Sequence, residues 1–178
     1  MLLKETYNKE DLALIEKLYL DAFPPSERKP FSVILEKCKE GTMEILKIED
    51  DASNFVGLVM MVLYKDLALL DYFAIAENQR DYGYGSQVLK LLNERYHTQR
   101  LIVEIENPEI PSDNTAERIR RKAFYLKNHL IVMPFQINYF GVEMLILTNG
   151  KTVTYEEYDE MYKQIFDSEI YENVIRII

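Results

Sequence analysis

The residues with the clearest chemical potential lie at Glu77-Asn78-Gln79-Arg80-Asp81-Tyr82-Gly83-Tyr84-Gly85-Ser86, a polar segment between an apolar run and a helical one. A helix N-terminus presents unpaired backbone N–H groups and the positive end of the helix dipole, and so attracts anions. Gly83 and Gly85 let the backbone approach a phosphate closely and permit positive φ. Arg80 adds a full positive charge. Arg80-x-x-Gly83-x-Gly85 therefore suits a cofactor pyrophosphate. It is not a dinucleotide fingerprint, because Val88 stands where the third glycine belongs. It is not a P-loop, because Ser86 stands where lysine belongs. Taken alone, the same hexapeptide reads first as a glycine-rich connector without a ligand.

Three carboxylates draw notice beside it. Asp71 interrupts the apolar run LALLDYFAI (67–75). An unpaired buried carboxylate is costly, so Asp71 either pairs with an arginine or serves as a proton acceptor. Glu104 and Glu106 in RLIVEIE share one face by strand alternation. Glu106 reads as a solvated strand end and Glu104 as the deeper of the two.

Apolar periodicity supplies the elements that must position these groups. Residues 9–22 carry Leu12, Ile15, Leu18 and Tyr19 at helical spacing. A loop with Pro24, Pro25 and Pro30 follows, then a short helix near 31–39. Strands are expected at 43–49, 55–64 and 67–76, joined by turns at 50–54 and 65–66. A helix follows the glycine loop from Ser86 to Tyr96. A strand at 100–106 precedes a helix at about 114–128, with Asp113 or Asn114 as N-cap. Strands at 130–138 and 141–148 and a helix at 154–166 complete the chain. With a first strand near the N-terminus, the order β-α-α-β-β-β-α-β-α-β-β plus a terminal helix implies a mixed sheet with helices on its faces.

Composition narrows the classes. The 178 residues carry 21 Lys+Arg against 30 Asp+Glu, a net charge of −9, which argues against nucleic acid as partner. No stretch is apolar enough for a signal peptide or membrane span, so a soluble cytoplasmic protein is expected. Cys38 is the single cysteine, which excludes a disulfide framework and suits a small buried hydrophobe. His97 and His129 fall in no ligand pattern, so no metal is expected.

Residues 67–92 (LALLDYFAIAENQRDYGYGSQVLKLL) resemble the acyl-CoA-binding motif of the GNAT superfamily of N-acetyltransferases. That motif is a strand with a small-apolar end, [Q/R]-x-x-G-x-[G/A], then an amphipathic helix. Ala123-Phe124-Tyr125-Leu126-Lys127-Asn128 is similar to the family's FYxKxGF helix, with His129-Leu130 in place of Gly-Phe. Arg118 stands where many members carry an asparagine that touches CoA. The resemblance covers about residues 1–148. AFPPSERKPF and the RIRRKAFY run are similar to a bacterial subgroup.

The resemblance implies a fold class of α/β (α+β) type: a mixed, mostly antiparallel seven-stranded sheet flanked by helices. It implies a GNAT-like domain over 1–150 and a helical extension over 151–178 packed on the domain or on a second subunit, hence a monomer or homodimer. It implies an acetyl-CoA-dependent N-acetyltransferase acting on a primary amine of a small molecule or peptide by direct attack, with no nucleic acid or membrane partner. Phe73, Ala74 and Ile75 would hold the pantetheine arm between the fourth and fifth strands. Arg80, Asp81, Tyr82, Gly83, Tyr84, Gly85 and Ser86 would hold the pyrophosphate. A backbone N–H near Phe73 would stabilise the oxyanion. Asp71, Glu104, Glu106 or a water would take the amine proton, and Tyr125 would protonate the departing thiolate. The basic cluster Arg118–Lys122 would reach the CoA 3′-phosphate, meet an acidic partner or form a solvated helix face. The acceptor would meet the N-terminal helices, the 23–31 loop and the 133–143 hairpin. A GNAT-like module that binds acyl-CoA without catalysis is the alternative.

Overall fold

A computed structural model describes the backbone of all 178 residues and every side chain except that of Ser26. Strand β1 (Leu2–Glu5) precedes helix α1 (Lys9–Ala22). Asn8 caps α1 by accepting the Asp11 N–H at 2.9 Å, and Glu10 and Asp11 place negative charge at the dipole's positive end. The helix stops at Phe23, before two prolines that cannot continue it. Helix α2 (Phe31–Lys39) starts directly after Pro30. Strands β2 (Met43–Glu49), β3 (Phe55–Tyr64) and β4 (Leu67–Ile75) follow. Next come α3 (Tyr84–Arg95), β5 (Arg100–Glu106), α4 (Thr115–Lys127), β6 (Ile131–Tyr139) and β7 (Val142–Thr148). The chain ends with α5 (Tyr155–Ile165), α6 (Ser168–Tyr171) and β8 (Val174–Arg176).

The chain forms two compact units. One comprises Met1–Leu63 with Leu69–His97, and the other Tyr64–Ala68 with Thr98–Ile178. In the first, strand order is β1-β2-β3-β4, with β1, β2 and β3 antiparallel. Its core includes Ile15, Tyr19, Ile34, Ile45, Leu46 and Leu58, all buried. One polar burial is Asp11, which accepts from the Thr6 hydroxyl, Asn8 Nδ2 and Lys47 Nζ, while Lys47 also pairs with Glu49 at 2.6 Å. In the second unit the order is β5-β7-β6-β8, antiparallel throughout. Its core includes Phe135, Ile146, Leu147, Tyr158, Met161 and Tyr162. The expected mixed α/β chain with a mostly antiparallel sheet and flanking helices is what forms.

Three details differ from the sequence reading. Among the described residues the strands number eight, not seven. The tail is not helical to its end: Val174, Ile175 and Arg176 pair with Tyr139, Asn138 and Ile137. The run Val-Ile-Arg-Ile-Ile is rich in β-branched residues and covers the otherwise free edge of β6. Helix α3 starts at Tyr84, two residues before Ser86, because Gly83 at φ +74° is its N-cap. Helix α4 closes in a Schellman motif: Leu130 N–H bonds the Tyr125 carbonyl at 3.1 Å and His129 N–H the Leu126 carbonyl at 3.0 Å. His129 sits at φ +67° there, a conformation that costs a non-glycine residue about 1 kcal/mol. Residues His129-Leu130 thus build the turn that Gly-Phe would build.

Among the described residues no helix is long and apolar enough to cross a membrane.

Candidate functional site

The first unit carries the strand and loop singled out by sequence. Along β4, Asp71, Phe73 and Ile75 alternate with Tyr72 and Ala74, so the first three share a face. Asp71 lies about 13 Å upstream of Ile75 at strand rise. After β4 a short 3-10 turn (Glu77–Gln79) leads to Arg80. Asp81 (φ +68°) and Gly83 (φ +74°) are left-handed and wind the chain into α3. A Cβ at Gly83 would meet nothing within 4 Å, so its need for glycine is conformational rather than steric. No side chain caps α3, which leaves the N–H groups of its first turn, from Tyr84, Gly85 and Ser86, as unclaimed donors. Arg80 is exposed, and its Nε donates to the Ile75 carbonyl at 3.3 Å. Tyr82 stands 67% exposed, its ring 5.8 Å from that of Tyr84. Uncapped helix donors, two left-handed residues and an adjacent guanidinium fit an anionic group such as a pyrophosphate.

Asp71 is paired, with a lysine rather than the arginine the strand pattern suggested. Lys29 Nζ donates to both carboxylate oxygens, at 2.8 and 2.9 Å, and both side chains are nearly inaccessible, 5% and 6% exposed. The Lys29 backbone is fixed as well. Its N–H donates to the Tyr72 hydroxyl at 3.1 Å, and its carbonyl accepts from the Tyr19 hydroxyl at 3.0 Å. The Tyr72 hydroxyl in turn donates to the Glu27 carbonyl at 2.8 Å. The Tyr19, Phe23 and Tyr72 rings pack edge-on or tilted at centroid distances of 4.8 to 5.6 Å. The 23–31 loop is thereby tied to β4.

The second unit holds Tyr125, Glu104 and Glu106. Tyr125 and Arg118 lie seven residues apart on α4, two turns, and are that helix's buried residues. Burial pushes the Tyr125 hydroxyl up to about 12, with the Arg121 charge opposing. The phenol is therefore protonated at neutral pH. Glu104 accepts the Tyr158 hydroxyl at 2.8 Å and the Tyr162 hydroxyl at 2.7 Å. Both donors come from α5, so the C-terminal segment is part of this unit's core.

Two expectations need correction. Glu106 is not a solvated strand end: it is 8% exposed and accepts Arg118 Nη2 at 2.6 Å, Asn114 Nδ2 at 3.2 Å and Arg121 Nη1 at 3.4 Å. Arg118 is likewise not on a solvated face, being buried beside Glu106, with an Nε that has no partner among the described residues. A buried carboxylate demands a cation, and α4 turns Arg118 onto β5 to supply it. Cys38 is half-buried, and burial raises its thiol to about 11, leaving it neutral. Among the described residues no group of three or more His, Cys, Asp or Glu side chains could hold a metal ion.

Sequence reasoning passed over Lys29, Tyr158 and Tyr162. The two tyrosines stand at i and i+4, a spacing that puts both hydroxyls on one helix face. Lys29 had no comparable signal beyond its place in a proline-bounded loop.

No family model matches the chain, and no curated protein matches it by sequence. Solved structures do. A candidate GNAT-family acetyltransferase from Bacteroides thetaiotaomicron superposes with a TM-score of 0.80 at 17% identity, covering 96% of this chain and 99% of that one. The spermidine N-acetyltransferase of Vibrio cholerae, solved with CoA and spermine, superposes with a TM-score of 0.66 at 12% identity, covering 83% of this chain and 93% of that one. The fold is therefore that of the GNAT acetyltransferases.

Proposed function

We propose that this chain is an acetyl-CoA-dependent N-acetyltransferase acting on a primary amine. The observation that carries the reading is the Arg80–Ser86 loop: a strand end, a left-handed glycine turn and an uncapped 12-residue helix, with a guanidinium beside it. Its likeness in fold to an enzyme solved with CoA and spermine supports the same assignment.

Acetyl-CoA supplies an activated acetyl group and a thiol leaving group. Residues Arg80 to Ser86 bind its pyrophosphate through backbone N–H groups and one guanidinium. Phe73, Ala74 and Ile75 line the path along β4. The Asp71 carboxylate, which holds an ammonium in the resting protein, is suited to take a proton from an acceptor ammonium directly or through water. Glu104 is the second candidate for that role, and it accepts the hydroxyls of Tyr158 and Tyr162. Tyr125, protonated throughout the physiological range, gives its proton to the thiolate sulfur.

Thermal-shift or calorimetric titration with acetyl-CoA and CoA, followed by thiol-release assays over an amine panel, tests this. Binding with amine-dependent thiol release is expected. Absence of binding would refute the loop assignment. Binding with no release from any amine would replace the enzyme with an acyl-CoA-binding module.

A further inference from the structure

The one primary amine already seated on Asp71 belongs to the protein. Lys29 Nζ is held by both oxygens of that carboxylate and sits 5.1 Å from the Tyr72 ring centroid, inside a cluster of aromatic rings. The carboxylate oxygens are in direct contact with the ammonium, so the base that an acylated lysine needs already stands within proton-transfer distance of it. The anion loop lies at the downstream end of β4 and Asp71 upstream on the same strand. A cofactor held at the loop and laid along β4 therefore ends toward the Lys29–Asp71 pair.

We infer that Lys29 is an internal acetyl acceptor, modified on its own Nζ when acetyl-CoA is bound and no other amine is present. The inference rests on the acetyltransferase reading. Asp71 takes one proton from the Lys29 ammonium. The freed lone pair attacks the thioester carbonyl, the C–N bond forms and the C–S bond breaks. The thiolate leaves as CoA after taking a proton, and the products are acetyl-Lys29 and one CoA. No oxidant or further reactant is needed. The acetyl amide has no charge, so the ion pair that ties the 23–31 loop to β4 is lost.

A purely structural pair is the competing account, and Lys29→Arg separates the two. Arginine keeps a positive charge beside Asp71 but is no acetyl acceptor under these conditions. The intact chain is incubated with acetyl-CoA without added amine, and peptide mass spectrometry locates each acetyl group while released thiol is counted. The expected result is one equivalent of CoA per chain, acetylation at Lys29 ahead of the exposed lysines, and loss of that equivalent in Lys29→Arg. In Asp71→Asn, labelling of Lys29 relative to exposed lysines should fall roughly 100-fold. An unmodified Lys29 in protein that binds CoA and acetylates added amines would overturn this inference and leave the enzyme reading standing. Failure of CoA binding removes both. Labelling of Lys29 at the rate of exposed lysines, or unchanged in Asp71→Asn, is spontaneous chemistry and also overturns it.

Discussion

Replacing Gly57 by alanine would drive a methyl group into the backbone of the strand that carries the proposed cofactor path. A Cβ built on Gly57 would stand 2.2 Å from the Ala74 carbonyl oxygen, 3.1 Å from Ile75 Cα and 3.2 Å from Ala74 C. An ordinary C···O approach is about 3.3–3.6 Å, so β3 and β4 must part there by roughly 1 Å. All three obstacles are backbone atoms, and no side chain can rotate away. The neighbouring Ala76 N–H to Val56 carbonyl bond, at 2.9 Å, holds the strands at their present spacing. Overpacking of this kind costs about 1–3 kcal/mol. For a chain of this size that corresponds to a fall in Tm of about 2–12 °C. The effect reaches the loop as well. Ile75 supplies the carbonyl that Arg80 Nε holds at 3.3 Å, a bond too long to survive a further ångström. Loss of one charge-assisted bond is worth about 1.5 kcal/mol, so CoA affinity should drop about tenfold. Differential scanning fluorimetry and calorimetric titration read the two effects separately. An unchanged Tm would refute the backbone wedge. A lowered Tm with unchanged CoA affinity would refute its relay to Arg80.

Arg80→Ala should lower CoA affinity and flatten its salt dependence while moving Tm by less than about 2 °C, since the side chain is exposed; equal CoA binding to wild type would remove Arg80 from the anion site. Tyr125→Phe should cut kcat by about 10²–10⁴ with CoA binding intact. Because burial holds the wild-type hydroxyl at about 12, its titration should cause no loss of kcat up to about pH 10, and an alkaline limb that Tyr125→Phe abolishes near pH 9 would contradict this. Asp11 is held at about 2 chiefly by Lys47, and Glu157 at about 2 chiefly by Arg100. Both folded values lie below the unfolded ones, so the stability they add is present above about pH 4.5 and is lost as pH falls through about 2. Urea midpoints should decline over that window, less steeply in Asp11→Asn, and a flat profile would contradict the assignment.

What could be read from the sequence was local. Helix α1 ends where Phe23 meets two prolines, and α5 starts where Thr154 and Glu157 form a capping box, so caps and periodicity place both within a residue. The anion loop was legible for the same reason: strand, glycines and helix are consecutive. Strand β8 was not, because five residues after two helices carry no turn signal, and their strand form depends on the open edge of β6. The state of the carboxylates was legible only in half. An aspartate inside LALLDYFAI announces that it needs a cation, but periodicity says nothing of a partner 42 positions away. The proline-bounded loop offers two, Arg28 and Lys29. The choice is made by hydroxyl groups on α1 and β4. Tyr19 and Tyr72 grip the Lys29 carbonyl and N–H, which aims its side chain at Asp71, while Arg28 turns outward to the Leu20 carbonyl at 3.0 Å. Two core tyrosines thus decide which cation sits on the proposed base. Removing either hydroxyl should loosen Lys29 without touching the charge pair itself.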